Sequence, residues 1–157
     1  MNDTRPRLHR DTPLTGISFD EPELAATVSR DLQRVEELLQ KELNHGEDFV
    51  NEKVIHLAAA GGKRFRPMFA VLASQLGTRA SCEDVIKAAT VVEMTHLATL
   101  YHDDVMDEAD RRRGVESANA RWGNSVAILA GDILLAHASR LMATLGTDTV
   151  AHFAQTF

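Results

Sequence analysis

From Leu24 to Leu43 the chain repeats one pattern. Leu24, Val28, Leu32, Val35, Leu39 and Leu43 recur at steps of four, four, three, four and four, with charged and amide residues between them. That spacing predicts one apolar face on a helix. Asp20 is its expected N-cap, Pro22 lies in its first turn, and "NHG" at 44–46 is its stop. A second helix is expected over about 49–60, ending at Gly61-Gly62. Pro67 then opens a third, "PMFAVLASQL", closed by Gly77. Ser81 and Asp84 have capping-box spacing, although such boxes more often end in Glu or Gln. Nothing from 82 to about 108 breaks a helix, so that segment reads as one rod of ~40 Å at 1.5 Å per residue. "RRRG" reads as a loop. A last helix is expected over 124–145, where Gly131 would cost ~1 kcal/mol against Ala unless close packing needs it. No segment reads as a strand and no repeat is present, so the expected class is all-α. Residues 1–17 have no period and read as an N-terminal arm preceding a helical domain over 18–157.

Composition narrows the partners. The 157 residues carry a formal net charge of −6, which argues against nucleic acid as a general partner. Aromatics make up 5 % and there is one cysteine, Cys82, so no internal disulfide can form. The polar start "MNDTRPRLHR" lacks the apolar core of a secretory signal. No run reads as the ~20 apolar residues that span a bilayer. These features lead to the expectation of a soluble cytoplasmic protein with no transmembrane segment.

Candidate chemistry is concentrated in "HDDVMDEADRRRG", 102–114, where five carboxylates are followed at once by three arginines. Asp103 and Asp107 are four apart and share one helix face. Like charges so placed repel, and acidic groups at a helix C-terminus oppose its dipole. Something positive is therefore expected between them. Ligands that offer only oxygen favour a hard cation such as Mg²⁺, which takes one or two carboxylates together with waters and substrate phosphates. Asp104 lies about 100° round the helix as a flanking partner. An EF-hand is excluded by the missing alternate acids and sixth-position Gly.

A second cluster is "GGKRFRP", 61–67. Its glycines let backbone approach an anion, while Lys63, Arg64 and Arg66 supply charge. A P-loop needs Gly where Leu57 stands and Ser or Thr where Arg64 stands, so it is rejected. His96 falls about two turns before Asp103 on the same face.

"GGKRFRP", His96, "DDVMD", "RRG" at 112–114 and "ARWGNSVAILAGD" at 120–132, taken in this order, resemble the trans-isoprenyl diphosphate synthases, also called polyprenyl synthetases. The resemblance covers roughly 50–145. It implies a bundle of long antiparallel helices around a deep cavity, usually homodimeric. It also implies condensation of isopentenyl diphosphate with an allylic diphosphate to a longer all-trans polyprenyl diphosphate. On this resemblance Lys63, Arg66, His96 and Arg113 match the isopentenyl-diphosphate contacts. Asp103 and Asp107 match Mg²⁺ ligands, with Asp104 completing the catalytic acidic motif, and Arg112 matches the allylic-diphosphate contact. Arg111 has no counterpart. Ala98 and Thr99, small residues five and four before the acidic motif, match positions that set chain length and imply products longer than fifteen carbons. The family's second aspartate-rich motif is missing after Asp110. The expectation is therefore the N-terminal half of a synthase, inactive alone.

Three other readings compete. A ferritin-like di-iron protein would use Glu42 with His45 and Glu93 with His96, but leaves "GGKRFRP" and "RRRG" without a role. A terpene cyclase needs no second diphosphate site. A non-catalytic subunit of a heteromeric synthase would have no need to retain these aspartates.

Overall fold

A computed structural model describes residues 16–17, 19–44 and 48–156. Nearly all of the expected arm lies outside these residues, as do His45 and Gly46. Seven helices and one small hairpin are described: α1 (Pro22–Leu43), α2 (Asp48–Ala59), α3 (Phe65–Ser74), α4 (Glu83–Met106), β1 (Arg111–Arg112), β2 (Val115–Glu116), α5 (Ala118–Trp122), α6 (Asn124–Ala143) and α7 (Thr147–Thr156). The all-α class holds.

The stripe on α1 does what its spacing predicts. Val28, Leu32, Val35, Leu39 and Leu43 are all buried. Each such side chain contributes roughly 1.5–3 kcal/mol when fully removed from water. The stripe feeds two cores. Its first half packs with Met68 and Val71 of α3 and with Ile86 and Ala89 of α4. Its second half joins Leu57 of α2, Met94, Leu97 and Tyr101 of α4, and Leu134 of α6. Tyr101 is a peg between helices: its hydroxyl donates to the Lys53 carbonyl at 2.5 Å and accepts the Leu57 N–H at 3.2 Å. Burial pushes that phenol up to about 12. The peg fixes the end of α2, and so the start of the basic loop, against α4.

α4 and α6 form the most extensive helix pair. Gly131 explains their closeness, because a Cβ there would stand 2.3 Å from His102 Nε2. The helix-propensity penalty of a mid-helix glycine is the cost of seating that imidazole. α6 also corrects the expectation that no run matches a membrane span. By length and composition alone it qualifies, with mean hydropathy 1.5. In this fold its Ala127, Ala130, Leu134 and Ala138 face into the main core.

Several boundaries differ from the sequence reading. α1 is capped by Glu21, without a side-chain bond, and Pro22 is its first residue. α3 opens at Phe65, so that Pro67 sits in the first turn, where its missing N–H has no intrahelical partner to lose. The Ser81–Asp84 box does not form. Ser81 is left-handed at φ 58° and its carbonyl accepts Arg34 NH1 at 2.8 Å, while Asp84 pairs with Arg79 at 2.7 Å. The expected last helix is present as α6, and a further short helix, α5, precedes it across Gly123, whose φ of 88° suits glycine.

The expectation of no strand is also corrected. Arg111 pairs with Glu116 and Arg112 with Val115 in an antiparallel hairpin. Its two turn residues, Arg113 and Gly114, have φ of 53° and 81°. A two-residue hairpin turn of this kind requires both to be positive. Two-residue strands are too short to show alternation, so the pattern hid them.

Candidate functional site

α4 ends with Asp107 as its C-cap, so the helix carries Asp103 and Asp104 in its last turn and presents Asp107 just beyond. The three carboxylates have different fates. Asp104 is fully buried and accepts from Arg112 Nε at 2.6 Å. Burial pushes its carboxyl above the usual range; Arg112 opposes this, while Asp103 and Asp107 add to it. Its second oxygen, Oδ2, has no hydrogen-bond partner. Asp107 is exposed, with only Arg112 NH2 nearby at 4.0 Å. Asp103, half-buried, has no salt-bridge partner among the described residues. The hairpin thus folds the arginines of "RRRG" back onto the acidic helix end that precedes them. Arg111 stays exposed and bonds the Gly114 carbonyl at 2.9 Å.

Asp103 and Asp107 therefore form a two-carboxylate, oxygen-only donor pair, with Asp104 withheld by Arg112. Among the described residues no group of three or more His, Cys, Asp or Glu side chains converges as a metal site. Such a pair fits an ion that keeps several waters and completes its shell with substrate phosphates, as Mg²⁺ does. It does not fit a preformed protein cage.

The same face of α4 lines a cleft of about 300 Å³, bounded by Arg66, Val92, Thr95, His96, Thr99, Phe153 and Thr156. His96 and Arg66 meet here. His96 is lowered to about 4 by burial and by the positive charges of Arg66 and Arg113, against a small opposing pull from Asp103. Its imidazole is thus neutral near pH 7, able to offer an N–H to an anion while Arg66 supplies charge. Lys63 stands exposed on the preceding loop, its ammonium 5.8 Å from the Phe65 ring centroid, and is not part of the cleft lining.

The loop has a reason for both glycines. Gly61 adopts φ 88°, while a Cβ on Gly62 would press on Arg113 Cζ and Arg64 NH1, each at 3.0 Å. Arg113 donates to the Leu57 carbonyl at 3.0 Å and to that of Gly61. The basic loop and the hairpin turn are therefore joined directly.

Comparisons with known proteins agree with this geometry. Residues 47–157 match the model of the polyprenyl synthetase family. The chain belongs to the polyprenyl synthetase family. It is 52 % identical over 146 residues to a nonaprenyl diphosphate synthase of Mycobacterium tuberculosis, covering 93 % of this chain and 44 % of that protein. It is 38 % identical over 120 residues to the octaprenyl diphosphate synthase of Escherichia coli, covering 76 % of this chain and 36 % of the relative. A solved geranylgeranyl pyrophosphate synthase from Corynebacterium glutamicum, complexed with calcium and isoprenyl diphosphate, superposes with a TM-score of 0.79 at 66 % identity. That match covers 89 % of this chain and 42 % of that one. The chain thus spans less than half the length of the curated relatives it matches, and its fold is that of the all-α isoprenoid synthases.

Within this polyprenyl synthetase fold the sequence-selected residues divide. Arg66, His96 and Thr99 share the cleft, and Arg113 acts electrostatically on His96. Ala98 does not share it. It is fully buried in the main core beside Leu97 and Tyr101, whereas Thr99 lines the cleft. One residue turns a helix by about 100°, which carries Ala98 off the cleft face. The di-iron alternative loses its second pair, because Glu93 is held by Arg64 NH1 at 3.0 Å. Of the site's frame, sequence reasoning missed Glu36 and gave two others different roles: Arg64, expected to supply charge to an anion, is turned inward, and Glu93, weighed as an iron ligand, is its partner. Arg64 is 6 % exposed and bonds Glu36 at 2.8 and 3.2 Å. Burial alone would raise Glu36, but the Arg64 bond and charge bring it below the usual carboxylate range. Glu93 goes the other way, raised by a burial that Arg64 and Arg113 only partly offset.

Two outcomes follow from this division. Asp103→Asn and Asp107→Asn should leave thermal stability unchanged or raise it by a few tenths of a kcal/mol, since each removes a charge opposed to the helix dipole and to its neighbour. Asp104→Asn should lower stability by about 2–3 kcal/mol, because a charge-assisted buried bond is lost. Equal destabilisation by all three, measured by chemical denaturation, would contradict the split.

For His96, the folded pKa of about 4 lies below the unfolded value of 6.5. The unfolded chain therefore takes up a proton that the folded one refuses. Stability from the neutral imidazole is fully present above pH 6.5 and is lost as pH falls towards 4. The stability difference between wild type and His96→Gln should decline across that window. A difference independent of pH would mean that His96 is not shielded.

Proposed function

We propose that this chain forms the diphosphate-binding half of a Mg²⁺-dependent prenyltransferase. The reaction condenses isopentenyl diphosphate with an allylic diphosphate to give a longer all-trans polyprenyl diphosphate, and the working enzyme is a homodimer. The observation that carries the reading is a division along one face of α4. A basic cleft at Arg66 and His96 lies on the same face as two carboxylates that no buried arginine holds, Asp103 and Asp107.

In this reading Lys63, Arg66 and Arg113 bind the diphosphate of the isopentenyl substrate, and neutral His96 donates an N–H to it. Asp103 and Asp107 hold Mg²⁺. When bound, the metal neutralises charge that develops on the leaving diphosphate. Arg112 binds the same group: its Nε is engaged by Asp104, and its NH2 lies 4.0 Å from Asp107. Heterolysis of the allylic C–O bond leaves a carbocation and diphosphate. The isopentenyl double bond attacks the cation, and a proton then leaves to the released diphosphate, so no side chain acts as nucleophile. Only the departing oxygen gains much negative charge at the barrier, so cations aimed there favour the transition state over the ground state. Val92, Thr95, Thr99 and Phe153 form a wall that keeps water from the cation. Thr99, a small residue on that wall, leaves room for a tail longer than fifteen carbons.

In the complete enzyme, Asp103→Ala should lower turnover by ~10²–10³. Lys63→Ala and Arg66→Ala should each raise the Michaelis constant for isopentenyl diphosphate by about tenfold or more, with less effect on the allylic substrate. Thr99→Tyr should shorten the products, whereas Ala98→Tyr should overpack the core and reduce folding. No consumption of isopentenyl diphosphate, or equal effects of the basic substitutions on both substrates, would refute the two-site reading.

A further inference from the structure

One buried carboxylate has no part in this chemistry, yet faces an arginine from each of the two segments that carry the basic residues. Glu93 lies on α4, about one turn before His96, and is 2 % exposed. Its Oε1 accepts from Arg64 NH1 at 3.0 Å and lies 3.9 Å from Arg113 NH2. Arg64 belongs to the loop between α2 and α3, and Arg113 to the turn of the β1–β2 hairpin. A single oxygen therefore faces guanidinium groups from two segments far apart in sequence.

Both arginines are fixed on their other sides. Glu36 of α1 grips Arg64 through Nε at 2.8 Å and NH2 at 3.2 Å. Arg113 donates to the carbonyls of Leu57 and Gly61, where α2 ends and the loop begins. Arg64 and Arg113 also hold left-handed backbone, at φ 49° and 53°. Non-glycine residues resist that conformation unless their surroundings enforce it. Gly62 is clamped beneath the two guanidinium groups. The cluster balances two carboxylates against two guanidinium groups, which makes its burial tolerable. Without the charge of Glu93, Arg64 would keep only Glu36, and the partly buried Arg113 would lose its carboxylate neighbour.

Lys63, on the same loop, and Arg66, in the first turn of α3, are exposed. The loop thus turns Arg64 inward to the cluster and leaves its neighbours outside. We infer that Glu93 is a positioning residue: by joining Arg64 to Arg113 it holds the 61–66 segment (the loop and the first turn of α3) and the 112–114 turn at a fixed separation, so that Lys63, Arg66, His96 and Arg113 present one site to a diphosphate. The choice of ligand rests on the proposed function; the joining of the two segments does not.

Glu93→Gln separates these parts, because it keeps the side chain's size and an acceptor for Arg64 while removing the charge. Amide hydrogen exchange of this chain should speed up by about tenfold or more over residues 59–66 and 111–116, with α1 and α6 within about twofold of wild type. Calorimetric titration with inorganic diphosphate should show affinity lowered by about tenfold or more, and Glu93→Asp should recover part of it. Exchange that is unchanged in both segments, or raised evenly through the whole fold, would overturn the positioning role. A wild type that binds no diphosphate, alongside segment-specific loosening in the variant, would uphold the positioning of the segments and overturn the ligand assignment.

Discussion

Arg64 is a guanidinium sealed inside a helical bundle, and the placement of the site depends on how that charge is satisfied. It lies between Glu36 of α1 and Glu93 of α4, at 2.8 and 3.0 Å. Breaking such a buried pair typically costs about 3–5 kcal/mol, because the partner left behind keeps its charge without water. The cost makes the loop's path specific. With Arg64 turned inward, Lys63 and Arg66 fall on the exposed side. Glycine at position 62 suits this arrangement, because a Cβ there would press on both guanidinium groups at about 3.0 Å. Arg113 then ties the hairpin to the end of α2, where Tyr101 already pegs the backbone. A chain of short polar contacts thus runs from α1 to the acidic end of α4.

The same economy of charge operates at that acidic end. Five carboxylates followed by three arginines look like a solvated run. Folding sorts them instead. Arg112 bonds Asp104 inside the protein, while Asp107 is only 4.0 Å from the same guanidinium and Asp103 has no salt-bridge partner among the described residues, both in a position that the helix dipole makes unfavourable. In the proposed function these two carboxylates are the ones that would hold the cation. Neutral His96 and cationic Arg66, farther down the same face, offer the complementary environment for an anion.

Much of this could be read from the sequence, and the misses share physical causes. The stripe from Leu24 to Leu43 was legible because one side of α1 is wet and the other dry, which imposes a period. α4 has no such contrast. Ile86, Ala89, Val91, Met94, Leu97 and Tyr101 bury it around much of its circumference, so nothing in the pattern tells which way Ala98 or Thr99 points. Asp103 and Asp107 were visible because their spacing equals one helical turn. The Glu36–Arg64–Glu93 cluster was not: Glu36 looks like an ordinary surface charge, and nothing local shows that Arg64 turns inward to meet it and Glu93. Gly131 carried a signal without its cause: a mid-helix glycine asks for close packing, but only the structure shows that the neighbour is His102. The hairpin at 111–116 left no alternation to find, and the Ser81 box was pre-empted by Arg34 taking the Ser81 carbonyl.

The central claim is that one α4 face carries two separate anion environments, one built from protein cations and one that needs a metal. Titrating this chain with inorganic diphosphate, first with a chelator and then with excess Mg²⁺, tests it most directly. The account predicts binding in chelator that Asp103→Asn leaves intact and that the double variant Lys63→Ala, Arg66→Ala weakens by about a hundredfold. Binding that vanishes both in chelator and on Asp103→Asn would contradict it, because a single metal-held site would then account for all of the affinity.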